Sequence, residues 1–257
     1  MDYYCPTPPS PIFDFLPEVK KFSQVYLASS SSAPNALGKE VYDTIFFMDT
    51  GDTANQLGHF RKENPTYFED HPRKIVIDHH ISNKGYGNLN LIDTSASSVC
   101  EYLAEMFLHI APTAISPQIA TYLFMGISTD TGNFMYEQDS PRTFDITTKI
   151  LALGAQKPLI MDNLYRKNSA QKLMFLGTLL ERMTLHKHVF SSRFTKQELA
   201  SLNVEEEVAD LFISLFTTIE HSGIFALFKI DNTDGYIRCS LRTKNHHLDV
   251  RHIAEQC

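Results

Sequence analysis

Short, mainly apolar runs mark the first third of the chain. Four of them alternate with polar or helical stretches: SQVYLA (23–28), TIFFMD (44–49), RKIVID (73–78) and NLNLID (88–93). Continuous apolar strands of this length are typical of a parallel sheet that is covered on both faces. Three of the four runs end on an aspartate. Since open α/β sheets place ligands at the carboxyl ends of their strands, the pattern predicts an α/β fold with its chemistry at that edge.

Helical periodicity follows in the middle of the chain. The segment 95–111 spaces its apolar residues as one face of a helix, and Ser97 or Ser98 is placed to cap it. A second helix is predicted over about 116–125, leading into GISTDTGNF. Further helices are predicted at about 141–153, 158–166 and 169–185.

The pattern changes again near residue 186. HVFSSRF, IFALFKID and GYIRCSLRT are predicted strands around a helix at about 204–220, and a turn that contains glycine joins the last two as a hairpin. We therefore predict a first domain over 1–165, a connecting helix over 166–185, and a smaller α+β domain over 186–257.

Composition narrows the class of protein. The chain has 257 residues, 43% of them hydrophobic, which suffices for a sizeable core. A formal net charge of −7 argues against a clamp on long duplex nucleic acid, but not against a short anionic substrate held through a divalent metal. Four scattered cysteines and the lack of a membrane-length apolar run predict a cytoplasmic protein with no membrane partner. The oligomeric state stays open, with a homodimer as one option.

Three segments carry the candidate chemistry: FFMDTGD, IVIDHH and GISTDTGNF. Each leads from an apolar strand or helix into a turn of small residues that bears acids or histidines. Mn²⁺ and Mg²⁺ take carboxylate oxygens, and imidazole shifts the preference toward Mn²⁺ or another transition metal. A bridging carboxylate with further Asp and His ligands can build a two-metal centre for phosphoryl displacement. The plainer alternative is that Asp78 caps the next segment and that the two histidines lie in a surface loop.

These three motifs, in this order and spacing, resemble the DHH family of phosphoesterases. That family includes RecJ-type exonucleases, manganese pyrophosphatases and small oligoribonucleases that also act on 3′-phosphoadenosine 5′-phosphate. The oligoribonuclease branch is the most similar, because DTSASSVCE follows IDHH and SLRTKNHHLDVRHIA resembles the S-x-R-S…DV-x-x-IA segment of its second domain. The resemblance implies a DHH domain followed by a DHHA1-like substrate-binding domain.

The resemblance also implies roles for individual residues. Asp49 matches the bridging metal ligand, His79 the DHH histidine that binds metal, and Asp130 the last metal carboxylate. Asp78 would orient His79 from behind, as metal-bound histidines usually require. His80 matches the second DHH histidine, which lies at the metal site next to the scissile phosphate.

The implied activity is hydrolysis of short RNA oligonucleotides, and of 3′-phosphoadenosine 5′-phosphate, with water activated by two Mn²⁺ ions. Arg242 matches a second-domain arginine that grips a substrate phosphate, and with His80 it would stabilise the charge that develops. Two alternatives stay open. The chain could be a non-catalytic nucleotide-binding module, or a pyrophosphatase or cyclic-dinucleotide phosphodiesterase on the same scaffold.

Two family motifs have no counterpart in the chain. The first family motif, H-x-x-P-D-x-D, supplies one His and two Asp ligands, yet no histidine precedes His59. The glycine-rich G-G-G-H segment should follow DVRHIAEQ, yet the last glycine is Gly235. We interpret the chain as an internal fragment of a longer protein and expect ligands for only one tightly bound ion.

Overall fold

The chain divides into two compact units, Met1–Arg166 and Lys167–Cys257. The computed structural model describes residues 3, 5, 9–21, 42–51, 53–57, 61, 62, 68, 70–135, 140–216, 219, 223–231, 237–243, 245, 248–250 and 253. In neither unit is a described helix both long enough and apolar enough to cross a lipid bilayer.

The first unit contains the predicted parallel sheet. Its described strands are β1 (Ile45–Met48), β2 (Lys74–Asp78) and β3 (Leu89–Ile92), in the order β1-β2-β3 and all parallel. The predicted strand at 23–28 lies outside the described residues. Because Met48, Ile77 and Leu91 are in register, the residues that follow the three strands emerge at one edge of the sheet. This alignment brings the strand-terminal acids together.

The first unit also contains helices, and the α/β class is confirmed. They are α1 (Thr53–Gln56), α2 (Val99–Ile110), α3 (Pro117–Asp130), α4 (Pro141–Ala152) and α5 (Lys157–Met161), with 3₁₀ turns at Pro11–Phe13 and Pro112–Ala114 and a π-helical turn at Asp162–Arg166. The larger core of this unit lies among α2, α3 and α4, around residues such as Phe124, Ile127 and Ile150.

Helix α3 extends five residues beyond its predicted end. A glycine such as Gly126 favours the end of a helix, but here it allows α3 to approach α2 closely. A Cβ atom at Gly126 would lie 2.1 Å from the Cys100 Sγ atom, so this position admits no side chain. The longer helix carries Asp130 in its last turn.

The second unit is built on a mixed sheet, as the predicted α+β pattern requires. Its strands are β4 (Thr184–His186), β5 (Val189–Thr195), β6 (Ile224–Ile230) and β7 (Ile237–Thr243), in sequential order, with β5 and β6 parallel and the other pairs antiparallel. Helices α6 (Ala170–Glu181), α7 (Lys196–Leu202) and α8 (Glu207–Phe216) contribute to a core that includes Phe175, Leu179, Phe194, Ile213 and Phe225.

Two details of the second unit differ from the predicted pattern. The helix predicted to run to residue 185 ends at Glu181, because residues 184–186 pair with β5 instead. Helix α7 was not predicted. It begins at a capping box in which the Thr195 and Glu198 side chains accept hydrogen bonds from each other's backbone N–H groups.

Candidate metal centre

Asp49 occupies the turn directly after β1. Its backbone N–H donates to the Ile77 carbonyl at 3.0 Å, which continues the parallel pairing by one residue. Its φ of 55° lies in the left-handed region, where a non-glycine residue is strained. The side chain is 52% exposed and projects beyond the sheet edge. The backbone therefore delivers a carboxylate to the rim of the sheet in a conformation that costs stability.

The two histidines at the end of β2 face this carboxylate. His79 Nε2 lies 3.6 Å from Asp49 Oδ1, and His80 Nδ1 lies 3.7 Å from the same oxygen. Asp130 approaches from the end of α3, with its Oδ2 3.7 Å from His79 Nε2. These separations are too long for hydrogen bonds, and they suit ligand atoms that surround a cation. Three chain segments thus converge on one point.

Asp78 lies directly behind this point and is fully buried. Its Oδ1 accepts hydrogen bonds from the His80 Nδ1–H group at 2.7 Å and from the backbone N–H groups of His79 and His80 at 2.7 and 3.3 Å. Its Oδ2 accepts from Asn83 Nδ2 at 2.5 Å. Asp78, which was expected to orient His79, thus holds the His79 backbone N–H, whereas its hydrogen bond to an imidazole ring goes to His80. The chain reverses after β2 so that the carboxylate reaches the next imidazole, that of His80.

The His79 ring has a different partner. Its Nδ1 lies 3.3 Å from the carbonyl oxygen of Ala96, which belongs to the loop between β3 and α2. A carbonyl oxygen can only accept, so this contact requires the proton on Nδ1 and leaves the Nε2 lone pair directed to the carboxylates. A neutral imidazole in this tautomer can bind a metal ion through Nε2.

The electrostatics of the site favour a bound cation. Partial burial, followed by the nearby negative charge of Asp49, raises the pKa of Asp130 to about 6. The two histidines act in the opposite direction but do not cancel this effect. Asp78 behaves differently: burial alone would raise its pKa, but hydrogen bonds led by those from Asn83 and His80 hold it below the ordinary value. A divalent cation beside Asp49 and Asp130 would relieve their mutual repulsion.

The donor set fits a divalent transition metal. Asp49, His79 and His80 offer ligand atoms within 4.8 Å of one another, and Asp130 joins them through its contact with His79. Because His80 Nδ1 is already hydrogen-bonded to Asp78, the candidate ligands are His79 and the two outer carboxylates. Mixed carboxylate and imidazole donors suit Mn²⁺ and its neighbours.

The remaining strand-terminal acid, Asp93, is not part of this group. It accepts hydrogen bonds from Ser95 and pairs with Arg142 at 2.8 Å. Arg142 also contacts the buried Glu101, whose importance was not foreseen. The spacing of Ser98 and Glu101, a Ser-x-x-Glu pair at a helix start, was the signal that could have identified it.

Arg242 belongs to the second unit, on β7. It is exposed, pairs in register with Phe225 of β6, and donates from Nη1 to the Leu241 carbonyl at 2.9 Å. A guanidinium carries five N–H donors, so this contact leaves most of the planar fork for an anion. Its role with substrate stays a prediction.

Comparisons with known proteins agree with the family resemblance. The chain is 28% identical to the probable bifunctional oligoribonuclease and PAP phosphatase NrnA of Streptococcus mutans, over 66% of this chain and 54% of that protein. It is 27% identical to the bifunctional oligoribonuclease and PAP phosphatase NrnA of Thermus thermophilus, over 66% of this chain and 50% of that protein. The Bacillus subtilis protein of the same name is 28% identical, over 75% of this chain and 60% of that protein. The chain thus spans about half to three-fifths of these relatives, and the predicted resemblance to the oligoribonuclease branch of the DHH family is confirmed.

A solved structure supports the fold. An exopolyphosphatase-related protein from Bacteroides fragilis superposes with a TM-score of 0.80 at 20% identity, covering 99% of this chain and 73% of that one. At this identity the likeness concerns the fold alone. No protein-family model matches the chain.

Proposed function

We propose that the chain is the metal-dependent part of a phosphoesterase that hydrolyses short RNA oligonucleotides and 3′-phosphoadenosine 5′-phosphate. The observation that carries the proposal is the convergence of Asp49, His79 and Asp130 from three separate segments, with the two carboxylates 3.6 and 3.7 Å from one imidazole nitrogen. A surface loop with incidental acids would not need such an arrangement. The names of the relatives from Streptococcus mutans and Thermus thermophilus supply the substrate class.

Asp49, His79 and Asp130 would hold the cation, with Mn²⁺ as the expected ion and Mg²⁺ or another divalent ion as a substitute. A divalent cation supplies Lewis-acid charge that activates water and neutralises phosphate oxygens. The Asp49 carboxylate, which the family resemblance assigns as the bridging ligand, is exposed and faces both histidines.

The other residues act on the substrate. Asp78 fixes the proton on His80 Nδ1, and when His80 is protonated its Nε2–H can donate to a phosphate oxygen as negative charge develops there. Arg242 would grip a second phosphate group through its planar fork. A divalent cation and these side chains can hold a short anion although the chain as a whole carries a net charge of −7.

The test combines metal binding and turnover. The chain is titrated with Mn²⁺ by calorimetry and then incubated with an RNA dinucleotide, 3′-phosphoadenosine 5′-phosphate, pyrophosphate or a cyclic dinucleotide, with and without a chelator. We expect one tight Mn²⁺ site and only slow, chelator-sensitive cleavage of the first two substrates, because the chain supplies ligands for one of the two ions. Absence of Mn²⁺ binding would refute the metal site. Nucleotide binding without any turnover would instead favour the non-catalytic module, and preference for pyrophosphate or the cyclic dinucleotide would replace the substrate class.

A further inference from the structure

One peptide group lies between His79 and a buried carboxylate. The carbonyl of the Ala96–Ser97 peptide accepts from His79 Nδ1 at 3.3 Å, while the N–H of the same peptide donates to Glu101 Oε2 at 3.1 Å. A trans peptide is planar and directs its C=O and N–H in opposite directions. The three groups therefore form a single row of hydrogen bonds that runs from Glu101 through the peptide to the imidazole.

Glu101 is held firmly in this position. It is fully buried at the start of α2, and Oε2 also accepts from Ser97 Oγ at 2.5 Å and from Thr143 Oγ1 at 2.8 Å. Its own backbone N–H donates to the capping hydroxyl of Ser98 at 3.0 Å. These contacts fix the loop directly after the Ala96 carbonyl, so the acceptor that faces His79 cannot rotate away without breaking several hydrogen bonds.

The second carboxylate oxygen of Glu101 shows that packing does not account for this residue. Oε1 makes no hydrogen bond among the described residues and lies 3.5 Å from Arg142 Nε. A buried acceptor without a hydrogen bond destabilises the fold, although here Arg142 offsets part of the charge. Packing alone therefore does not explain a carboxylate at this position.

We propose that Glu101 is a positioning residue for His79 and acts through the Ala96–Ser97 peptide. The negative carboxylate polarises this peptide, strengthens its carbonyl as an acceptor, and holds the imidazole in the tautomer that directs Nε2 toward Asp49 and Asp130. Each histidine of the pair then has its own carboxylate: Asp78 serves His80 directly, and Glu101 serves His79 through one peptide. This assignment rests on the proposed metal site.

The test substitutes Glu101→Gln, which preserves the shape of the side chain and removes its charge. Calorimetry should show the Kd for Mn²⁺ rising about tenfold, the lower end of the effect seen when partners of metal ligands are changed. In metal-free protein at alkaline pH, ¹⁵N NMR should show His79 as the Nδ1–H tautomer in the wild type and as a mixture in the variant. The His79 signals are assigned by their loss in His79→Asn.

The matched control is Thr121→Val, a buried position on α3 in the same unit. The Thr121 hydroxyl accepts from the Gln156 backbone N–H at 3.0 Å and donates to the Pro117 carbonyl at 2.7 Å, so its removal perturbs stability without touching the row of hydrogen bonds. We expect this variant to keep the wild-type Kd and the wild-type His79 tautomer.

Several outcomes decide the matter. A Glu101→Gln protein whose Kd stays within about twofold of wild type and whose His79 tautomer is unchanged overturns the proposal. So does an Nε2–H tautomer in the wild type, a measurement that needs no variant and therefore holds even where Glu101→Gln does not fold. Failure of the wild type to bind Mn²⁺ would remove the proposed function, while the tautomer of His79 would still decide the role of Glu101.

Discussion

Replacing Asp49 by asparagine should separate metal binding from folding at this position. The side chain is 52% exposed. Its Oδ1 lies 3.6 Å from His79 Nε2 and 3.7 Å from His80 Nδ1, which is beyond hydrogen-bond range. Asparagine tolerates the left-handed φ of 55° as well as aspartate does. The substitution also removes a negative charge that helps to raise the pKa of Asp130. We therefore expect the metal-free free energy of unfolding to change by less than about 0.5 kcal/mol.

The affinity for Mn²⁺ should change far more. Loss of a direct carboxylate ligand should exceed the cost of losing an outer partner, so we expect the Kd to rise by at least about 100-fold, or roughly 2.7 kcal/mol. Calorimetry gives the Kd, and chemical denaturation in chelator gives the stability. Mn²⁺ should accordingly raise the Tm of the wild type much more than that of the variant. An Asp49→Asn protein that binds Mn²⁺ within about threefold of wild type would refute the ligand assignment, and one that loses more than about 1.5 kcal/mol would refute the separation.

Three further predictions concern residues in other surroundings. Asp78→Asn should lower the free energy of unfolding by roughly 1–3 kcal/mol in chemical denaturation, because an asparagine cannot accept from both His80 and Asn83 as the carboxylate does; an unchanged stability would contradict this. In the second unit, the hydrogen bond from Arg182 is the main cause that lowers the pKa of Glu198 to about 2. The stability that the ionised Glu198 contributes through Arg182 is therefore present above the ordinary Glu pKa of 4.5 and is lost as the pH falls toward 2. Glu198→Gln should remove about 1 kcal/mol at neutral pH, after allowance for solvent screening, and should flatten stability between those two pH values. Arg242→Ala should raise the KM for dinucleotides several-fold with no change in the Kd for Mn²⁺, and Arg242→Lys should restore only part of the loss; an unchanged KM would withdraw Arg242 from the site.

The sheet of the first unit could be predicted because its strands are short apolar runs, most clearly the largely buried β2. A run such as 73–78 can be recognised as a strand from its own sequence, without knowledge of the strands beside it. The errors occurred where a distant contact decided the outcome. Gly126 extends a helix because Cys100 of α2 packs against it, and β4 exists because β5 pairs with it. Neither partner is visible in the local pattern.

The candidate site shows the same division. The three motifs, together with the family that they resemble, pointed to Asp49, His79, His80 and Asp130, which the structure brings together. Which acceptor serves which imidazole could not be predicted, because it depends on the direction of the backbone after β2. The partner of His79 is a backbone carbonyl of residue 96, and no side-chain pattern encodes a carbonyl.

The distribution of backbone strain supports the location of the site independently of any motif. Among the described residues, five non-glycine residues have positive φ. Two have ordinary explanations, since Lys187 lies in the turn between β4 and β5 and Asn203 is the left-handed C-cap of α7. The other three are Asp49, Asn133 and Phe134, and all of them lie at or just after the carboxylates assigned to the metal. Phe134 costs on the order of 1–2 kcal/mol in this region, whereas the short polar side chains of Asp49 and Asn133 tolerate it at lower cost. A fold selected only for stability would have little reason to keep all three there. The repulsion between the like charges of Asp49 and Asp130 also destabilises the fold. A cation bound between these loops would explain why both the backbone strain and the repulsion are kept.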